Sequence, residues 1–171
     1  IEAKVANALA LDYPRERLTI MPVNDRSTDG TRQIIDGYAD RHPGRLQLFH
    51  RQEGPPGKAA ALADATAIVQ ARGQSELIVV FDADYLPGKK IIKQLVAPFL
   101  DPEVGAVMGR VVPQNAGVNL LTRLLDLERS GGYQVDQQAR FNLGAVAQYG
   151  GTVGGIRLSA LKDVGGWTPE V

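Results

Sequence analysis

At 171 residues, with 44% hydrophobic, 22% charged and 6% aromatic side chains, the chain is sized for one domain with a real core, and nothing in its make-up points to disorder. Nineteen basic residues balance nineteen acidic ones, mixed along the chain, which argues against a broad nucleic-acid-binding surface. The lack of cysteine excludes disulfides, thiolate-bound zinc and a cysteine nucleophile; with His42 and His50 the only histidines, a resident metal would be held by oxygen, which favours Mg²⁺ or Mn²⁺.

In chain order, residues 2–11 are rich in alanine and leucine and predict the tail of a helix that stops near Tyr13-Pro14. The apolar run 18–23 predicts a buried strand, although Pro22 argues against a long central one. A polar loop, 24–30, leads into Thr31–Arg41, where Ile34, Ile35 and Tyr38 follow helical spacing and Asp29 is placed to cap the start. Residues 46–50 predict a strand, 51–57 a loop of glycine and proline, and 58–71 an alanine-rich helix. Leu77–Phe81 is the clearest strand, short and apolar on both faces, and it runs straight into Asp82-Ala83-Asp84. Pro87-Gly88 precedes an amphipathic helix over 89–99, and 104–112 reads as a further strand.

The remainder is less regular. Residues 119–140 predict one long helix or two short ones broken at Gly131-Gly132, 144–155 are glycine-rich and irregular, and 159–164 predict a short helix ended by Gly165-Gly166. Within the first of these, Leu120, Leu121, Leu124 and Leu125 form an apolar stripe, assigned to packing within the domain in preference to an outside interface. Alternating strands and helices predict an α/β fold with a mainly parallel sheet and helices on both faces. The expected organisation is one domain, 1–171, with a regular half over 1–112 and an irregular half over 113–171.

No apolar run reaches the roughly 18 residues needed to span a bilayer, and no signal-peptide pattern opens the chain. The first residues already read as helix and no methionine precedes Ile1, so both ends are expected to be boundaries inside a longer protein.

Ligands in open α/β sheets bind beyond the carboxyl ends of the strands. Two predicted strands end in acid-bearing loops, Asn24-Asp25 and Asp82-Ala83-Asp84. In extended backbone, residues two apart project to one side, so Asp82 and Asp84 could share a divalent cation, or divide a cation and a ribose hydroxyl between them. The competing reading is that they are solvated loop acids or helix caps. Lys58 opens a helix after the glycine-rich loop, where free N–H groups and an ammonium suit a phosphate; Gly-Lys-Ala-Ala lacks the Ser or Thr of a P-loop.

Taken together the motifs resemble the family 2 glycosyltransferases, a GT-A group that includes cellulose, chitin and hyaluronan synthases. The residues that carry the resemblance are Asn24-Asp25-Arg26-Ser27-Thr28-Asp29-Gly30-Thr31, Gly57-Lys58-Ala59-Ala60-Ala61-Leu62, Val79-Val80-Phe81-Asp82-Ala83-Asp84 with Leu86-Pro87, Val104-Gly105-Ala106-Val107, and the glycine-rich stretch 150–158 ending in Val164-Gly165-Gly166-Trp167. The resemblance implies a GT-A fold, Rossmann-like in its nucleotide-sugar-binding half and irregular on its acceptor side. It further implies Asp25, Lys58, Asp82 and Asp84 at a UDP-sugar, the two later acids also on Mg²⁺ or Mn²⁺, and Gly150, Gly151 and Thr152 facing a saccharide or lipid acceptor. Inverting transfer of a hexose is expected, by a parent protein with transmembrane helices that holds this domain on the cytoplasmic side of an inner or plasma membrane. Asn24 and Arg26 depart from the usual Asp and Gly of the first loop. The family's first strand is expected before Ile1 and its general base beyond Val171, so no catalytic acid is assigned, Glu170 lying too early. Alternatives are a nucleotidyltransferase, a haloacid-dehalogenase-type phosphatase, in which Tyr85-Leu86 would be atypical, and a non-catalytic nucleotide-binding module.

Overall fold

A computed structural model describes residues 1–168. Glu170 lies outside the described residues. The elements run α1 (Glu2–Leu9), β1 (Val23–Asp25), α2 (Thr31–Arg41), β2 (Phe49–Arg51), α3 (Lys58–Arg72), β3 (Leu77–Phe81), α4 (Ile91–Val96), β4 (Ala106–Met108), α5 (Leu120–Gly131), α6 (Gln138–Asn142), β5 (Val153–Arg157) and α7 (Leu158–Asp163). The fold is α/β, as expected. β1 and β2 pair in parallel, while β5 lies between β3 and β4 and runs antiparallel to both.

The predicted strand 18–23 moves toward its C-terminal end. Pro22 has no N–H to give, so the regular ladder starts at Val23. Carbonyls still carry the pairing backward: Phe49 N–H donates to Pro22 O at 3.2 Å and Gln47 N–H to Ile20 O at 2.8 Å. Inside this pair of strands, buried Asn24 donates its amide to His50 Nδ1 at 3.2 Å, and His50 Nε2 donates to Asp36 on α2 at 2.8 Å. The chain of polar groups fixes the first loop to the helix behind it. Asp29 accepts from Thr31 N–H at 3.0 Å, but the N-cap of α2 is Gly30, so Asp29 bonds the helix start from one residue before the cap position expected for it.

β5 replaces part of the predicted irregular stretch, and its glycines have a packing reason. A Cβ on Gly154 would stand 2.6 Å from the Tyr149 ring, and one on Gly155 would stand 2.9 Å from Phe99. The strand is therefore a floor for aromatic rings. Ile156, Leu158 and Leu161 form a buried cluster with Val69, Ile78, Tyr149 and Trp167 packed against it. α3 thus joins the two sheets: it reaches this cluster through Val69 and the first sheet through the Arg51–Asp64 ion pair.

The helical stretch after residue 119 is continuous. Asn119 and Thr122 form a capping box at its start, and of the two expected arrangements the single long helix is found, with a π-helical turn over Gly132–Gln137 after the glycine pair. The leucine stripe corrects the expectation of core packing. Leu120, Leu121, Leu124 and Leu125 are 73%, 65%, 54% and 45% exposed, because α5 is held by its polar side, where Arg110 donates to Ser130 at 2.8 Å. Among the described residues no helix is long and apolar enough to cross a membrane.

Candidate active site

Three loops meet at one end of the sheet. Gly57, at φ 114°, turns the chain into α3 with a backbone that only glycine adopts readily. This leaves Lys58 at the helix start, where its ammonium donates to the Asp82 carboxylate and to Gly151 O, the latter at 2.6 Å. Asp82 N–H in turn donates to Thr152 O at 3.0 Å, continuing the β3–β5 ladder by one residue. Lys58, Asp82, Gly151 and Thr152, far apart in sequence, are therefore bonded into one unit. Beside it opens a cleft of about 510 Å³ lined by Lys58, Leu62, Val80, Tyr149, Gly150 and Trp167, among others.

The acids do not sit as the extended-strand argument expected. Tyr85 N–H donates to Asp82 O at 3.1 Å, so residues 82–85 form a turn, and Asp84 is carried on the turn out to solvent. Both carboxylates nonetheless act on one neighbour, Lys4 of α1. Burial pushes the Lys4 ammonium down to about 8, even though Asp82 and Asp84 pull it upward. Its nitrogen lies 4.7 Å from the centroid of the Phe81 ring, which stacks on Tyr85.

Asp25 belongs to a neighbouring group of charges. Its carboxylate accepts from Arg51 at 2.9 Å and from Arg26 at 3.1 Å, and Arg51 also donates to Asp64 at 2.6 Å. Burial alone would raise the Asp25 carboxyl; the hydrogen bonds from Arg51 and Arg26 outweigh it and hold the group below the usual carboxylate range. Asp25 remains an ionised acceptor at neutral pH. Arg26 stands at φ 56°, the non-glycine residue in left-handed backbone among those described, and this is the position where a glycine is usual in the resembled loop. Its strain, of order 1–2 kcal/mol, is opposed by hydrogen bonds to Gly54 O at 3.0 Å and Pro55 O at 3.3 Å. Arg26 thereby ties the Asp25 loop to the loop that delivers Lys58.

Gly150 and Gly151 line the cleft and serve structure as well, whereas Thr152 is not among its lining residues. Gly151 has φ 72°, and Gly150 N–H faces Met108 Sδ at 3.0 Å. Tyr149 covers β5 with its hydroxyl buried and without a partner among the described residues, and burial pushes its phenol up. Trp167 Nε1 donates to the buried Thr66 hydroxyl at 2.8 Å and closes the cleft from the α3 side.

Sequence reasoning missed Lys4, Arg51 and Tyr149. Arg51 pairs in register with Asp25 across two parallel strands, a relation visible only once the pairing is known. For Lys4 a signal did exist: a lysine and an asparagine three residues apart in an otherwise alanine-rich helix share one face.

Residues 1–165 match the family described as Glycosyl transferase family 2. The chain is 32% identical over 167 residues to a beta-monoglucosyldiacylglycerol synthase of Synechocystis, covering 97% of this chain and 34% of that protein. It is 31% identical over 159 residues to the probable glycosyltransferase YdaM of Bacillus subtilis, covering 92% of this chain and 37% of that one. Against glucomannan 4-beta-mannosyltransferase 7 of Arabidopsis thaliana it is 29% identical over 174 residues, with 99% and 31% covered. The chain thus spans about a third of the length of the curated relatives it matches. With the matched span running through the loops that carry Asp25, Lys58, Asp82, Asp84 and Gly151, and an α/β architecture that fits the GT-A expectation, the chain belongs to glycosyl transferase family 2.

Proposed function

We propose that this chain is the donor-binding core of an inverting glycosyltransferase that passes a hexose from a UDP-sugar to a saccharide or lipid acceptor. The observation that carries the reading is the convergence of Lys58, Asp82 and Gly151 at the mouth of one cleft. They come from the loops assigned, on separate grounds, to diphosphate, nucleotide and acceptor.

Asp25, held ionised by two guanidinium groups, is suited to accept from nucleoside N–H or O–H donors. Lys58 brings a positive charge and the N-terminus of a 15-residue helix to the diphosphate. Gly150 and Gly151 present bare backbone on the acceptor side, where a sugar can come close. The pair Asp82 and Asp84 suits Mg²⁺ or Mn²⁺ by its all-oxygen chemistry. Among the described residues no cluster of three or more metal-ligating side chains occurs, so the reading rests on the two carboxylates alone, with phosphate and water to complete the shell. When bound, such an ion supplies positive charge against the departing diphosphate.

The parent is placed at an inner or plasma membrane with this domain on the cytoplasmic side. The diacylglycerol glycolipid named for the Synechocystis relative supports a membrane setting.

Calorimetric titration with UDP, with and without Mn²⁺, tests the donor site. Binding that needs Mn²⁺ and is lost in Asp82→Ala/Asp84→Ala is expected. UDP binding that ignores both the metal and the double substitution would overturn the assignment of these acids.

A further inference from the structure

The main chain that leaves the Asp82–Asp84 turn is bonded by α1 and the residues just after it, while the Tyr85 hydroxyl donates to Arg110 O at 3.4 Å. Lys4 Nζ donates to Tyr85 O at 2.5 Å, Asn7 Nδ2 donates to Pro87 O at 3.0 Å, and the Asp12 N–H just after the helix donates to Lys89 O at 2.8 Å. The acceptors are the carbonyls of residues 85, 87 and 89, and Lys4 and Asn7 stand three residues apart on one face of α1. Asp12 adds a salt bridge to Lys93 of α4 at 2.8 Å. Beneath these bonds Val5 is 3% exposed and Pro87 is buried, so α1 is seated against the protein.

Residues 85–89 make no strand or helix, and no ladder fixes their backbone. The turn that carries Asp84 would therefore be free to swing on its C-terminal side without α1. Lys4 also lies near enough to both Asp82 and Asp84 for each carboxylate to act on its ammonium.

We infer that α1 is a clamp on the donor loop, with Lys4 and Asn7 as positioning residues that hold the Asp82–Asp84 turn ready for the cation and diphosphate. The ligand part of this inference rests on the donor-site reading above; the mechanical part does not. Neither residue touches the nucleotide in this scheme. Both act through the main chain of residues 85–87.

The experiment compares the whole chain with Lys4→Met, Lys4→Arg and Asn7→Ser. Lys4→Met keeps the apolar stem and removes the donor and the charge; Lys4→Arg restores both. Two quantities are read: amide hydrogen exchange at Tyr85, whose N–H closes the turn, and the Kd for UDP at saturating Mn²⁺. Losing one hydrogen bond from a charged group predicts about tenfold faster exchange at Tyr85 in Lys4→Met. The Kd should weaken about as much, Lys4→Arg should recover most of both, and Asn7→Ser should show a smaller change of the same kind. Exchange at Val79 and Val80, in the strand itself, should hold steady.

If Tyr85 exchange stays within twofold of the unsubstituted chain, the clamp is refuted. The same follows if exchange rises equally at Val79, Val80 and Tyr85, because α1 then only stabilises the fold. Should Lys4→Met fail to fold, Asn7→Ser and Lys4→Arg decide the matter by the same two sites. A chain that binds no UDP at all, yet shows local acceleration at Tyr85, would overturn the donor-site reading and leave the clamp standing.

Discussion

Gly154→Ala puts the packing of the cleft to a quantitative test. Gly154 is buried in the middle strand of its sheet, paired with Val80 on one side and Met108 on the other, so its backbone has little room to retreat. The added methyl would meet Tyr149 Cε2 and Oη at 2.6 Å and Cζ at 2.8 Å. Replacing a strand glycine by alanine favours folding by about 0.5–1 kcal/mol through lost chain entropy, while overpacking costs about 1–3 kcal/mol. The second effect wins because the obstacle is a rigid ring whose hydroxyl is already buried without a partner among the described residues. A net loss of about 1–2 kcal/mol follows, seen as a fall of about 3–6 °C in Tm for a chain of this size. Urea denaturation of Gly154→Ala, Tyr149→Ala and the double variant measures the coupling directly. With the ring gone the methyl has space, so Gly154→Ala should become neutral or stabilising in the Tyr149→Ala background. Additivity of the two substitutions within about 0.5 kcal/mol would mean that the ring does not set the requirement for glycine, and the account of β5 would fail.

Trp167→Phe removes the indole N–H that satisfies the buried Thr66 hydroxyl while keeping an aromatic wall on the cleft; a loss of about 1–2 kcal/mol in urea denaturation is expected. Asp25→Asn tests the charge cluster by pH. The folded carboxyl lies below its ordinary value of 3.8, so the stabilisation is fully present above that value and is lost as pH falls through the folded value. The stability gap between the unsubstituted chain and Asp25→Asn should therefore be open at pH 7 and close as pH falls through the folded value, and a gap that persisted in acid would assign it to shape. Leu121→Ser, on the exposed stripe of α5, should leave the stability in urea within about 0.5 kcal/mol of the unsubstituted chain.

Local patterns were legible, and relations across the sheet were not. Thr31–Arg41 and Leu77–Phe81 emerge from the sequence with the bounds the structure gives them, because a helical apolar spacing and a short run of β-branched residues are properties of neighbours in the chain. Lys58 at a helix start and the two acids after β3 were legible for the same reason. The π-helical turn at Gly132 was not, since two adjacent glycines leave one helix or two open while flanking residues with good helical continuity carry the chain through. The stripe of α5 shows the limit from another side: a leucine pattern says that a face is apolar, and only the placement of the helix says what covers it.

The same division runs through the site. β5 looked irregular because its glycines answer to Tyr149 and Phe99, rings that only the folded chain brings near. Asp25 was found, but the arginine that holds it ionised lies 26 residues away and meets it through a parallel register. Lys4 is more distant still, 81 residues from the carbonyl it binds. Groups expected to touch a ligand sit at element ends or in the loops beside them with a local signature, while groups that fix their geometry are chosen by tertiary contact. A chain of this family can therefore keep every legible motif and yet lose its donor site by changes at Arg51 or Lys4. That outcome is open to direct test, since the motif residues in Arg51→Met would be untouched while nucleotide binding at the Asp25 side should weaken.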